Sequence, residues 1–310
     1  MLRKYALFVG VAALGALVTS CGGDDTGSPT PTPSGTATPT PSPTPSQALV
    51  DFDLTDDFAA QSTNANYTFA YFTPDSGGDE VFSGASRLNG NAAIEFDPSP
   101  DSVTFTFVDL DDPVEFDAAD FISGSATMRS YASGTDRLTL ELPFNHVLRV
   151  RYGRETDFTS GSTDGTLRAQ RVALFFNRVT TTSAIASNIT YAGSVEVAGG
   201  EPGETESGSI SAADTTFLVD ESDDEIRGTI EVFEDVNGTP TRVAVFAMEA
   251  DLNANGTFSG EIVDNANDFE GNFAGSLSGP NREEVFILFS ASGNDGNDDE
   301  RRFVGSFIGN

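Results

Sequence analysis

The chain has 310 residues with 48 acidic against 16 basic side chains, a net charge of −32, one cysteine, one histidine and no tryptophan. Such a field repels nucleic acid and anionic head groups, which sets both aside as partners of the protein surface. A single cysteine makes no internal disulfide, and the scarcity of Cys and His removes zinc.

The N-terminus reads as a lipoprotein signal peptide over residues 1–20. Arg3 and Lys4 are followed by an apolar run from Leu7 to Val18 and then by Val18-Thr19-Ser20 before Cys21. The apolar run is shorter than the roughly 20 residues a membrane span needs, so it fits an export signal better than a retained helix. Val18-Thr19-Ser20-Cys21 resembles the lipobox of bacterial lipoproteins, which implies lipidation of Cys21 and cleavage just before it. Each buried acyl methylene contributes about 0.8 kcal/mol, so two or three chains hold firmly where one does not. Gly22 follows, where an aspartate would favour inner-membrane retention; outer-membrane sorting is expected.

Losing Arg3 and Lys4 leaves 14 basic residues, all arginine, against 48 acidic ones, a balance of −34. This acidic surface suits solubility in a salty medium. Residues 21–47 comprise the anchor and a Pro/Thr/Ser-rich linker, alternating Pro and Thr between Pro29 and Pro45. Proline fixes φ, so this stalk is expected to be extended, rising about 3.1 Å per residue, and to have no core.

The body, from residue 48, predicts strand after strand. Val103-Thr104-Phe105-Thr106-Phe107-Val108, Leu138-Thr139-Leu140-Glu141-Leu142, Val147-Leu148-Arg149-Val150, Val172-Ala173-Leu174-Phe175-Phe176 and Val243-Ala244-Val245-Phe246 carry the apolar alternation of strands. Asn89-Gly90, Asn237-Gly238 and Asn255-Gly256 have the signature of tight hairpin turns. The fold class is all-β: a β-sheet domain over 48–189, then a soluble eight-stranded antiparallel β-barrel over 190–310. The second part repeats Phe-x-Gly at Phe258, Phe269, Phe273 and Phe303. In a strand, Phe and the Gly two places on share a face, the alternation of large and small that fills a closed barrel. The opposite positions Glu270, Asn272, Ala274 and Ser276 do not suit lipid, which argues against a transmembrane barrel.

Several of these segments resemble the transferrin-binding protein B family of handle-and-barrel surface lipoproteins. The residues are Ala213 to Asp220 with Ile226 to Ile230, Asn255 to Gly260, Phe269-Glu270-Gly271-Asn272-Phe273-Ala274-Gly275 running into Gly279-Pro280-Asn281-Arg282-Glu283-Glu284, and the closing Phe303-Val304-Gly305. Leu148 to Gly153 and Tyr191-Ala192-Gly193 look like that family's handle-to-barrel junction. The pattern departs at Val285-Phe286 and at Ser306-Phe307, and the chain has room for one lobe. The resemblance implies a surface lipoprotein that binds a protein or iron-related solute through loops, with an outer-membrane transporter as an onward partner. It does not imply transferrin.

Little chemistry is visible. His146 is the lone histidine, no Gly-x-Ser-x-Gly elbow is present, and no catalytic residue, cofactor or metal site is expected. Asp251-Leu252-Asn253-Ala254-Asn255-Gly256 matches the start of a calcium loop, but Ile262 stands where the twelfth-position acid belongs, with Glu261 one place early, so a turn is the better reading. The acidic runs Asp220 to Glu225 and Asn294 to Glu300 read as solvated turns that also guard strand edges. The expected function is therefore binding rather than catalysis, with a structural or adhesive surface role as the alternative.

Overall fold

The computed structural model describes residues 49–205, 209–264, 268–294 and 300–310. Among these no helix forms, and the all-β expectation holds. The signal segment, Cys21 and the whole stalk lie outside the described residues, as does 295–299 of the second acidic run.

The first of three sheets has four strands, β1 (Phe58–Thr63), β4 (Asn91–Asp97), β5 (Ser102–Thr106) and β6 (Val114–Phe116), paired in that order and antiparallel. Apolar residues alternate along them and all turn one way: Phe58, Ile94, Phe96, Val103, Phe105 and Phe116 are buried. They face Tyr131, Leu138, Leu140, Val150, Tyr152 and Phe175 of a second sheet, making a sandwich core.

That second sheet has seven strands: β2 (Asn66–Pro74), β3 (Val81–Leu88), β7 (Phe121–Gly124), β8 (Met128–Ser133), β9 (Asp136–Glu141), β10 (Val147–Ser160) and β11 (Thr163–Phe176). Their order is β3-β2-β11-β10-β9-β8-β7. Of Asn89-Gly90 only the glycine takes a positive φ, +142°, and the pair joins β3 to β4 in different sheets, so it makes a crossover instead of the expected hairpin turn. Asn64, at φ +59°, makes the return crossing. Its side-chain Oδ1 accepts the Gly90 N–H at 2.8 Å while its own N–H donates to the Gly90 carbonyl at 2.8 Å. The two crossings thus tie each other down. Asn237-Gly238 does close a hairpin, with φ of +57° and +82°.

The third sheet has nine strands: β12 (Ile189–Gly200), β13 (Ser209–Ala212), β14 (Thr215–Asp220), β15 (Glu225–Val236), β16 (Thr239–Asp251), β17 (Thr257–Asp264), β18 (Phe269–Ser278), β19 (Glu284–Asn294) and β20 (Glu300–Gly309). It curls into a barrel of eight staves, β13 and β14 sharing one, since both pair with the same strand β15. The expected ring of eight strands is therefore nine strands, and its ladder is not continuous. Among the described residues β16 pairs only with β15 and β17 only with β18; at the seam between them Val245 N–H donates to Asp264 Oδ2 at 2.8 Å.

The Phe-x-Gly repeats face inward, as their spacing predicts. Three of the repeat rings cover a glycine on the neighbouring strand, Phe258 opposite Gly275, Phe273 opposite Gly260 and Phe303 opposite Gly199, while Phe269 stands opposite Asp264; Phe289 over Gly305 and Phe217 over Gly228, outside the repeats, pack in the same way. A Cβ on Gly228 would come within 2.5 Å of the Phe217 ring.

The back of the seven-stranded sheet packs on the outside of the barrel. Tyr67, Val147, Val172 and Leu174 meet Phe286, Leu288, Val304 and Ile308. Both faces of β10 and β11 are covered there, so Val172, Ala173, Leu174 and Phe175 are all buried, a continuous run instead of an alternating one. The described residues pack as one unit.

Candidate functional site

Three places bear on function: the seat of the lone histidine, the polar network between sandwich and barrel, and the outer edge of the seven-stranded sheet.

His146 stands at the start of β10, its Nδ1 3.4 Å from Asn177 Nδ2. Its main-chain N–H and that of Asn145 donate to Oε1 of Glu284, at 2.9 and 2.6 Å. Glu284, from the Gly-Pro-x-x-Glu-Glu run, thus pins the barrel strand β19 to the sandwich strand β10. Its Oε2 is sealed with no hydrogen-bond partner among the described residues, and burial raises its pKa against the pull of the main-chain donors. Glu284→Ala, which strands those donors, is expected to cost about 2–4 kcal/mol, whereas Glu284→Gln keeps an acceptor, removes a buried charge and should stay within about 1 kcal/mol. Urea unfolding midpoints of the two variants check this.

Further along β10, Arg149 is the largest fully buried side chain, at 2% exposure. Its Nη1 lies 2.5 Å from Glu196 Oε1 of the barrel and 3.3 Å from Glu141 Oε2 of the sandwich. Arg151 Nη2 pairs with Glu141 and, at 3.0 Å, with Glu196. Tyr67 lies beside this network, its hydroxyl 3.4 Å from Ser306 Oγ; burial, aided by Glu196, pushes its pKa up to about 12. The Leu148 to Gly153 segment does sit at the junction, but nothing in its pattern marks Arg149 as buried.

The Asp251 to Gly256 loop joins β16 to β17 and spends its polar atoms on itself. Asn255 Oδ1 accepts from Thr257 Oγ1 at 2.7 Å, and Asn253 Nδ2 donates to the Thr257 carbonyl at 2.9 Å. The Asp220 to Glu225 run is a turn between β14 and β15. Hydrogen bonds from Ser222, more than the Arg227 pair, hold the Asp220 carboxyl below its usual range. Among the described residues no group of three or more His, Cys, Asp or Glu side chains is arranged to hold a metal ion.

The outer edge of the seven-stranded sheet is β7, whose four residues are all exposed. Ile122 is 60% exposed and Met128, on the paired strand β8, 44%. The Phe121 ring is held by Tyr131 at 5.8 Å and by the Arg129 guanidinium at 5.7 Å. Arg129 is fixed in turn by Asp101 at 2.9 Å and by the Leu54 carbonyl at 2.8 Å. The edge is therefore firmly seated although it has no ladder partner among the described residues. Asp111, Asp112, Glu115 and Asp117, in the segment leading into it, are exposed. Four residues with two adjacent apolar side chains carry no readable period, so the sequence does not announce this strand.

These features define the molecule's class: an all-β scaffold of sandwich and barrel presenting an open strand edge. Among solved structures, those similar to the chain include isotype 1 transferrin binding protein B from serogroup B Neisseria meningitidis, at 17% identity and a TM-score of 0.39. That match covers 78% of this chain and 43% of that one, so the chain spans less than half the length of the meningococcal protein. A mutant transferrin binding protein B from Haemophilus parasuis is similar at 10% identity and a TM-score of 0.31, over 82% of this chain and 76% of that one. No protein-family profile and no curated protein matches the sequence.

Proposed function

We propose that this protein is a lipoprotein tethered through Cys21 to the outer membrane, with its β body outside the cell, and that it holds a protein partner along the free edge of β7. The observation that carries this reading is the edge itself, where Phe121, Ile122 and Met128 lie open to solvent beside unpaired backbone. An open, firmly seated strand edge is suited to strand addition, in which main-chain hydrogen bonds supply affinity and side chains specificity. The acidic approach from Asp111 to Asp117 favours an extended apolar segment flanked by Lys or Arg. The lipobox and the Pro-Thr stalk support the tether and the distance from the membrane. Passage of a protein-borne or iron-related ligand to an outer-membrane transporter is the finer form of the proposal, supported by the sequence resemblance.

Cys21→Ser is expected to abolish palmitate labelling and release the protein from the membrane fraction, and protease added to intact cells should remove the wild-type body. A photo-crosslinking residue at Ile122 should yield a discrete protein adduct in living cells, while the same residue at the open turn of Gly134 should not. Equal adducts from both positions, or none from Ile122, would sink the edge as the contact.

A further inference from the structure

We propose that the cleft between β3 and the outer wall formed by β18, β19 and β20 binds a small hydroxylated carboxylate, with Arg87 as its anchor. The cleft holds about 440 Å3, and Ser86, Arg87, Asn89, Glu270, Asn272 and Ser292 give it polar walls. Arg87 Nη1 donates to Asn272 Oδ1 at 2.6 Å, and neither Nε nor Nη2 meets an acceptor among the described residues. No described carboxylate lies within ion-pair distance of it either. Burial lowers its pKa, as expected of a desolvated cation with nothing to offset it.

Scarcity of acids does not explain the missing counter-charge, because the chain carries 48 acidic residues. Arg129, Arg149, Arg154, Arg168, Arg171 and Arg301 each have their carboxylate. Arg137 and Arg282 place N–H groups on backbone carbonyls. Nε is sealed from the cleft, which leaves Nη2 as the open donor, and a charge-assisted N–H of this kind suits a carboxylate oxygen. Glu300 is already bound to Arg302 on the same wall, at 3.0 Å. Glu270 and Glu300 together disfavour a multiply charged anion, while Glu270, the serine hydroxyls and the asparagine amides suit a ligand's own hydroxyl groups.

Isothermal titration of the full chain with D-glucuronate, D-gluconate and D-glucose tests the proposal. At least one of the two carboxylates should bind saturably, and glucose about tenfold more weakly or worse; Arg87→Gln should cost that carboxylate about tenfold or more. Asn272→Asp supplies Arg87 with a carboxylate inside the fold. It should keep or raise the thermal midpoint while abolishing carboxylate binding, so a loss of binding cannot be blamed on misfolding. No saturable binding of either carboxylate, equal binding of glucose, or undiminished binding by the Asn272→Asp protein would overturn the proposal.

Discussion

Arg149→Met is expected to destabilise the body by about 3 kcal/mol, as removing one partner from a buried ion pair does. The substitution leaves Glu141 and Glu196 to Arg151, which reaches both through Nη2 alone. Those carboxylates are only 28% and 29% exposed, so water does not repay the lost guanidinium. Because Arg149 belongs to the sandwich and Glu196 to the barrel, the pair also orients one on the other. The double variant Arg149→Met with Glu196→Gln should recover part of the loss, a coupling of about 1–3 kcal/mol in a double-mutant cycle. Urea unfolding followed by circular dichroism reads all three proteins. A single-variant loss under about 1 kcal/mol would place the pair with exposed surface bridges and remove its role as a pin.

Gly275→Val should cost about 3 kcal/mol or more, at the upper end of what overpacking a filled core does. An added Cβ there would collide with the Phe258 ring and with the Phe286 carbonyl oxygen of the next strand. The ring has a rotamer to give, but the carbonyl belongs to a ladder and does not. Gly134 offers the contrast: φ is +57° and nothing lies within 4 Å of the point where a Cβ would stand. Asparagine tolerates that backbone, so Gly134→Asn should stay within about 1 kcal/mol. If the two substitutions shift the thermal midpoint equally, ring-over-glycine packing is not what fills the barrel.

Much of this architecture is legible in the sequence because strand periodicity is local. Phe105, Leu138 and Leu140 alternate with polar neighbours and are buried as that predicts. The Phe-x-Gly spacing likewise announces the inward face of β17, β18 and β20. What a strand's outer face meets is not local. In Leu148-Arg149-Val150-Arg151, both arginines read as solvent-facing, yet the barrel wall covers that face and seals Arg149. Asn89-Gly90 is similar: its conformation follows from glycine's freedom, but whether the chain pairs with itself or changes sheets depends on strands far away. Arg87 gave no signal either, since a lone arginine in an acidic chain looks solvated until its surroundings are seen.

The seven-stranded sheet is shared property: one face completes the sandwich and the other lies against the barrel. Tyr67, Val147, Val172 and Leu174 would be wetted if the two parts were separated. Shuffling either part into another lineage would thus carry a sticky scar, and drift in one wall demands an answering change in the other. The loops and the outer strand at β7 escape that bond, and they are where such a scaffold is free to diversify.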